Sequence, residues 1–192
     1  GDTMPIYNAP LADMKFILND VFNAEQFWQA NENLAHVDAA TAEAILEEMA
    51  KFAQNVTHPL NRTGDEEGAT YSNGNVTTPA GFKAAFKQYA EGGWIGLAAD
   101  EEWGGQGMPK MLTVLADEML FATNPSFMLY PLLSVGAGMA LNSYASQEQK
   151  ETYLPKIYSG EWSGTMCLTE PHAGTDLGII KTKAERNEDG TY

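Results

Sequence analysis

A single cysteine, Cys167, stands in 192 residues, so no intrachain disulfide framework is available and a reducing, cytoplasmic setting is the expectation. Basic residues are scarce: 11 Lys and Arg face 26 Asp and Glu, a net charge of −15. Phosphate backbones and anionic membranes are bound through clustered Lys and Arg, so neither is an expected partner. The acidic surplus runs only to short blocks such as Asp65-Glu66-Glu67 and Asp100-Glu101-Glu102, which read as a solvated surface. His36, His58 and His172 are too scattered to form a metal site of recognisable spacing. There is no basic-then-apolar opening of the secretory kind, and Gly1-Asp2-Thr3 reads as a cloning remnant ahead of a start at Met4. The most apolar stretch, residues 127–141, is broken by Pro131, Gly136 and Gly138 and falls short of the ~20 residues of a membrane-spanning helix.

Apolar residues make up 44% of the chain, enough for a sizeable core. Leu11, Met14, Ile17, Leu18 and Val21 recur at three and four, predicting a docking helix within an N-terminal extension, residues 1–37. From Asp38, a plausible N-cap, the period of 3.6 is kept by Ala42, Ile45, Leu46, Met49, Phe52, Ala53 and Val56, and His58-Pro59 is expected to stop the helix. Residues 61–78 read as a loop. Thr78-Pro79 should then open a helix that ends at Gly92-Gly93. Gly104-Gly105 and Gly107-Met108-Pro109 mark a further loop, and helices follow over about 110–122, 126–145 and 147–158. The fold class expected is mainly α: a packed helical domain over 38–160, followed by the truncated start of a β-domain over 161–192.

That second expectation rests on a change of period after Gly160. Trp162, Met166 and Leu168 alternate with Ser163, Thr165, Cys167 and Thr169, as in a strand, which would make Cys167 a buried structural thiol. Ile180, Thr182 and Ala184 alternate with Lys181, Lys183 and Glu185, and Asn187-Glu188-Asp189-Gly190 reads as a hairpin turn with almost nothing after it. A lone strand does not offset its ordering entropy, so the chain reads as an N-terminal piece of a longer one.

Between the two alternations lies CLTEPHAGTDLG, residues 167–178. A strand running into Thr169-Glu170-Pro171-His172-Ala173-Gly174-Thr175-Asp176 exposes backbone N–H groups, and a positive φ at Gly174 would converge them into an anion-binding concavity. The same spacing is also that of an ordinary β-turn.

The string Leu168–Asp176 resembles the LTEPxAG(S/T)D signature of the acyl-CoA dehydrogenase family, and it continues similarly through Lys181-Thr182-Lys183-Ala184. Upstream, GWIGLAADEEWGGQGMP and the run Gln149–Lys156 with Ser159-Gly160-Glu161 resemble that family's loop and helix at its spacing, so the likeness covers about residues 80–192. Two departures stand out: His172, where the family often has glycine or a small residue, and a shifted glycine in Leu177-Gly178-Ile179-Ile180. With the opening MPIYNAPLADMKFIL they resemble a larger bacterial subgroup that includes 3-methylmercaptopropionyl-CoA dehydrogenases.

The resemblance implies a helical domain ahead of a middle β-domain, FAD as cofactor, and an acyl-CoA thioester oxidised to a trans-2-enoyl-CoA, with an electron-transferring flavoprotein as acceptor. A homo-oligomer, dimer or tetramer, is implied for the intact protein. Carried over position by position, Met166, Leu168 and Thr169 would lie along the flavin, Gly174 and Thr175 near its pyrophosphate, and Thr175 also at the thioester ligand. The residues 127–133 resemble the helix lining the acyl pocket, although an apolar helix is more often simply core. No catalytic base is expected within these 192 residues, because the family places it later in the chain; Glu170 reads as a hydrogen-bond acceptor of its own turn. Two other readings stay open: an acyl-CoA oxidase or flavin monooxygenase of the same fold, and a non-catalytic helical binding module.

Overall fold

The computed structural model describes residues 5–192, so the reading of residues 1–4 lies outside the described residues. Helices α1 (Leu11–Phe16) and α2 (Ala24–Gln29) flank a wide π-helical turn, Ile17–Val21. They are followed by α3 (Ala39–Phe52), a second π-helical turn (Ala53–Thr57) and α4 (His58–Glu67) without interruption. A short antiparallel hairpin of β1 (Thr70–Ser72) and β2 (Asn75–Thr77) precedes α5 (Phe82–Glu91). The fold then closes with α6 (Lys110–Thr123), α7 (Pro125–Tyr144) and α8 (Gln147–Tyr158). The architecture is mainly α, as expected.

Periodicity placed the core of α3, but in the extension Ile17 and Val21, expected on the buried face, are 39% and 55% exposed, because the π-helical turn rotates them off the face a 3.6 period would keep. Ala42, Leu46, Met49 and Phe52 of α3 are buried with Leu112, Met119 and Leu120 of α6 and Phe127 and Met128 of α7. Each of the large apolar side chains among these stabilises by about 1.5–3 kcal/mol. Phe127 sits among the rings of Phe52, Phe82 and Tyr89, at 5.8–6.4 Å between centroids. The extension packs onto this core through Met14, Leu18 and Trp28. Asp38 is the N-cap of α3, its Oδ1 accepting from Thr41 N at 2.7 Å.

Three expectations are corrected. His58-Pro59 does not stop the helix: Pro59 enters the first turn of α4 straight after the π-helical turn. The wider turn shifts the carbonyl a proline ring would strike, and the first turn needs no proline N–H. Residues 61–78 are therefore helix to Glu67 and then a hairpin, turned at Asn73-Gly74 with φ of 50° and 82°. Helix α5 begins at Phe82 behind Gly81, whose φ is 88°, rather than at Thr78-Pro79.

The alternating runs 161–169 and 180–185 are not strands. Among the described residues they find no partner, and β structure is a relation between two segments. Only an isolated bridge joins Glu170 to Ala173. Cys167 is accordingly exposed, not a buried structural thiol. The turn at 187–190 does form, with Gly190 at φ 86° and Asn187 N donating to Thr191 O at 2.7 Å.

Candidate cofactor-binding segment

Residues 161–182 are seated on the end of the helical domain, and the seat is specific. Gly164 N donates to Ser134 Oγ at 3.0 Å, with Ser134 buried in α7, and the Tyr130 hydroxyl meets Ser163 Oγ at 2.6 Å. A Cβ on Gly164 would lie 2.4 Å from Ala137 Cβ and 3.1 Å from Leu133 O, so only glycine lets the segment come this close to α7. Lys156 Nζ lies 4.3 Å above the Trp162 ring and 3.5 Å from Glu161 Oε1, closing the exit from α8. None of these anchors is marked by periodicity.

Beyond the seat the backbone runs extended and open. Met166 and Leu168 are 64% and 40% exposed, and Thr169 is exposed beside them. Among the described residues the amides of Met166, Cys167, Leu168 and Thr169 have no backbone or side-chain acceptor. A row of free donors flanked by exposed apolar side chains suits a flat ligand with a hydrogen-bonding edge.

The chain next folds into a closed turn. Glu170 N donates to Ala173 O at 2.9 Å, and Ala173 N returns the bond to Glu170 O at 3.1 Å. The Glu170 carboxylate accepts from Lys181 N at 3.0 Å, from Thr182 N at 2.9 Å and from the Thr182 hydroxyl. These donors, the hydroxyl first, hold its carboxyl below the usual carboxylate range. A carboxylate so occupied lacks the free lone pairs and raised pKa of a general base, and the expectation of a structural role is supported. His172 Nε2 lies 3.0 Å from Ile179 O and 3.3 Å from Glu170 Oε2. Asp176 Oδ1 caps the 3-10 turn Leu177–Ile179 by accepting from Gly178 N at 3.0 Å.

Gly174 and Thr175 occupy the exposed outer limb of this turn, on the same stretch as Thr169. Gly174 is not in the left-handed region, so the amides of 174–176 are not curled into the concavity anticipated from the sequence. A Cβ on Gly174 would meet nothing within 4 Å, and the amides of Gly174 and Thr175 find no acceptor among the described residues. The five expected cofactor residues thus lie on one exposed ribbon rather than in an enclosed pocket. In the acyl-pocket candidate 127–133, Phe127, Met128 and Pro131 belong to the buried side, while Leu129 and Tyr130 are 55% and 50% exposed.

Residues 39–161 match the acyl-CoA dehydrogenase N-terminal domain, and the chain belongs to the acyl-CoA dehydrogenase family. It is 40% identical over 186 residues to 3-methylmercaptopropionyl-CoA dehydrogenase of Ruegeria pomeroyi, covering 97% of this chain and 32% of that one. It is 31% identical to the broad-specificity linear acyl-CoA dehydrogenase FadE5 of Mycobacterium tuberculosis, covering 98% and 31%. The chain thus spans about a third of the length of these relatives. Its fold matches a Bacillus anthracis acyl-CoA dehydrogenase solved with FAD (TM-score 0.65, 24% identity, 81% of this chain and 25% of that one). It also matches a chain solved in work on the electron transferring flavoprotein of Acidaminococcus fermentans (TM-score 0.65, 25% identity, 77% and 36%). No helix among the described residues is long and apolar enough to cross a membrane.

Proposed function

We propose that this chain is the N-terminal part of an enzyme that oxidises an acyl-CoA thioester between its α and β carbons to the trans-2-enoyl-CoA, with FAD as cofactor. The observation that carries the reading is the open ribbon 165–175, whose free amides and exposed Met166 and Leu168 are fixed to α7 at Gly164. Bound there, FAD supplies the hydride acceptor of the reaction. Met166 and Leu168 would pack on its ring system, the Thr169 hydroxyl and the backbone N–H groups of 166–169 would satisfy its polar edge, and Gly174 and Thr175 would meet its pyrophosphate. Thr175 would also touch the thioester ligand. The open space beside Gly174 fits a close approach of that kind.

These residues bind and orient; they move no proton. Glu170 spends its lone pairs on its own turn, so the α-proton would be taken by a carboxylate outside these 192 residues. In this reading residues 161–192 open the middle β-domain, 38–160 form the helical domain and 1–37 an extension. The similarity to the Ruegeria pomeroyi enzyme favours 3-methylmercaptopropionyl-CoA as the substrate. An electron-transferring flavoprotein as acceptor, a homo-oligomeric assembly and a cytoplasmic location complete the proposal.

The test is anaerobic titration of the full-length protein with 3-methylmercaptopropionyl-CoA and with straight-chain acyl-CoAs. Bleaching of flavin absorbance with formation of the enoyl-CoA is expected. Absence of flavin from the purified protein would favour a non-catalytic module, and oxygen reduction as fast as acyl-CoA oxidation would make it an oxidase.

A further inference from the structure

The cofactor turn contains one side chain that the proposed function leaves without a role. His172 stands at its tip, partly exposed, and its Nε2 faces two acceptors at once: Ile179 O at 3.0 Å and Glu170 Oε2 at 3.3 Å. A carbonyl oxygen can only accept, so Nε2 carries the hydrogen and donates to Ile179 O, with the Glu170 carboxylate lying beside the bond. The imidazole therefore spans the mouth of a loop whose base is closed elsewhere. At one end Glu170 and Ala173 exchange backbone bonds; at the other, Glu170 takes the amides of Lys181 and Thr182. Between them, Asp176 and Gly178 close the 3-10 turn to which Ile179 belongs.

The backbone bonds of 170–173 fix that turn, and the Glu170 carboxylate fixes 181–182, but the limb 174–176 contributes no backbone donor to either. Its position is set by what joins its two ends. Pro171 and Ala173 supply no side-chain hydrogen bond there, so the imidazole of His172 is the tie from the tip of the turn across to residue 179. Its Nε2 also lies 3.3 Å from Glu170 Oε2, the oxygen that accepts from Lys181 N, so the ring packs beside the carboxylate clamp.

We propose that His172 is a positioning residue for the cofactor: by donating Nε2–H to Ile179 O beside the Glu170 carboxylate, it holds the limb carrying Gly174 and Thr175 in the shape that receives the pyrophosphate. The inference rests on the FAD reading above. It concerns a bond from Nε2, not the presence of a ring or a charge, and that distinction gives the test its edge. A glutamine side chain can bring its amide nitrogen to about the place of imidazole Nε2; an asparagine is too short and matches Nδ1 instead.

The experiment uses the full-length holoenzyme and the variants His172→Ala, His172→Asn and His172→Gln. Two quantities are read: the rate at which FAD is released after dilution, followed by recovery of its fluorescence, and hydrogen exchange in a peptide covering 177–185. A thermal unfolding midpoint serves as control. His172→Ala and His172→Asn should release FAD about fivefold faster, the effect of one net hydrogen bond, and lose protection at 181–182; His172→Gln should restore both. Unchanged release and exchange in His172→Ala would overturn the proposal, as would faster release that His172→Gln fails to restore. Were the wild-type protein itself to purify without flavin, the FAD reading would fall instead, so the two failures are distinguishable.

Discussion

Replacing Asn124 by alanine should destabilise the chain where the π-helical turn between α3 and α4 meets the junction of α6 and α7. Asn124 is 1% exposed and acts in two directions. Its Oδ1 caps α7 by accepting from Phe127 N at 3.0 Å, and its Nδ2 donates to Thr57 O at 3.1 Å. Thr57 closes the π-helical turn and is fully buried. Loss of the cap costs about 1 kcal/mol. Withdrawing the Asn124 donor from the buried Thr57 carbonyl costs about 1–3 kcal/mol more. The expected total for Asn124→Ala is therefore about 2–4 kcal/mol.

Asn124→Ser separates the two contributions. Serine keeps a capping oxygen but has no amide to reach Thr57, so it should be less damaging than alanine by about 1 kcal/mol. Urea denaturation followed by far-UV circular dichroism reads both. With a slope of about 2 kcal/mol per molar, alanine lowers the midpoint by about 1–2 M. The reasoning is refuted if alanine lies within about 0.5 kcal/mol of wild type, or if serine is as destabilising as alanine.

Three further outcomes are expected. Gly105→Ala places a Cβ 2.1 Å from Ala99 O, inside a loop whose bonds run from Gly105 N to Asp100 O and from Gly107 N to Ala99 O, and should cost about 3 kcal/mol by urea denaturation; Gly174→Ala, with nothing within 4 Å, should leave stability within about 0.5 kcal/mol yet weaken FAD retention in the full-length protein. Burial pushes the Asp117 carboxyl up to about 6, so the folded chain carries a penalised carboxylate above that pH. Asp117→Asn should stabilise by about 1–2 kcal/mol at about pH 7.5, after discounting for partial exposure, and the gain should shrink as pH falls through about 6 and vanish below 3.8, where folded and unfolded wild-type chains both bind the proton. Thr57→Val removes a hydroxyl that contacts Thr123 Oγ1 at 2.8 Å and should cost about 1 kcal/mol, but adding Thr123→Val should cost less than its own single effect, because no orphaned partner then remains across the contact.

How far the fold could be read in advance depends on where the controlling interaction lies. Helices α6, α7 and α8 were legible because their signals are local: an apolar period, a proline or serine at the start, and a buried stripe that needs only the neighbouring helix. The continuation through Pro59 was not, because a proline normally ends a helix and nothing in the residues around it announces a π-helical turn; what sustains that turn is Asn124, 67 positions away. The Asn73-Gly74 hairpin is the opposite case. Its signal, an Asn-Gly pair between Tyr71 and Val76, is local and was passed over for the polar composition around it.

The cofactor ribbon shows a different limit. Its alternation of Met166 and Leu168 with Cys167 and Thr169 is a genuine strand pattern, but a strand forms only when a second one pairs with it, and none does among the described residues. What the described residues keep is the part of the pattern that needs no partner: the Glu170–Ala173 turn and the carboxylate clamp on residues 181 and 182. The proposed cofactor residues belong to the other part. Met166, Leu168, Thr169, Gly174 and Thr175 are proposed from the family resemblance alone, because free amides and exposed side chains make no contact within the chain that could mark them. His172 lies between the two, its ring engaged within the turn while the limb it would hold stays open, and it is where sequence departure and geometry meet.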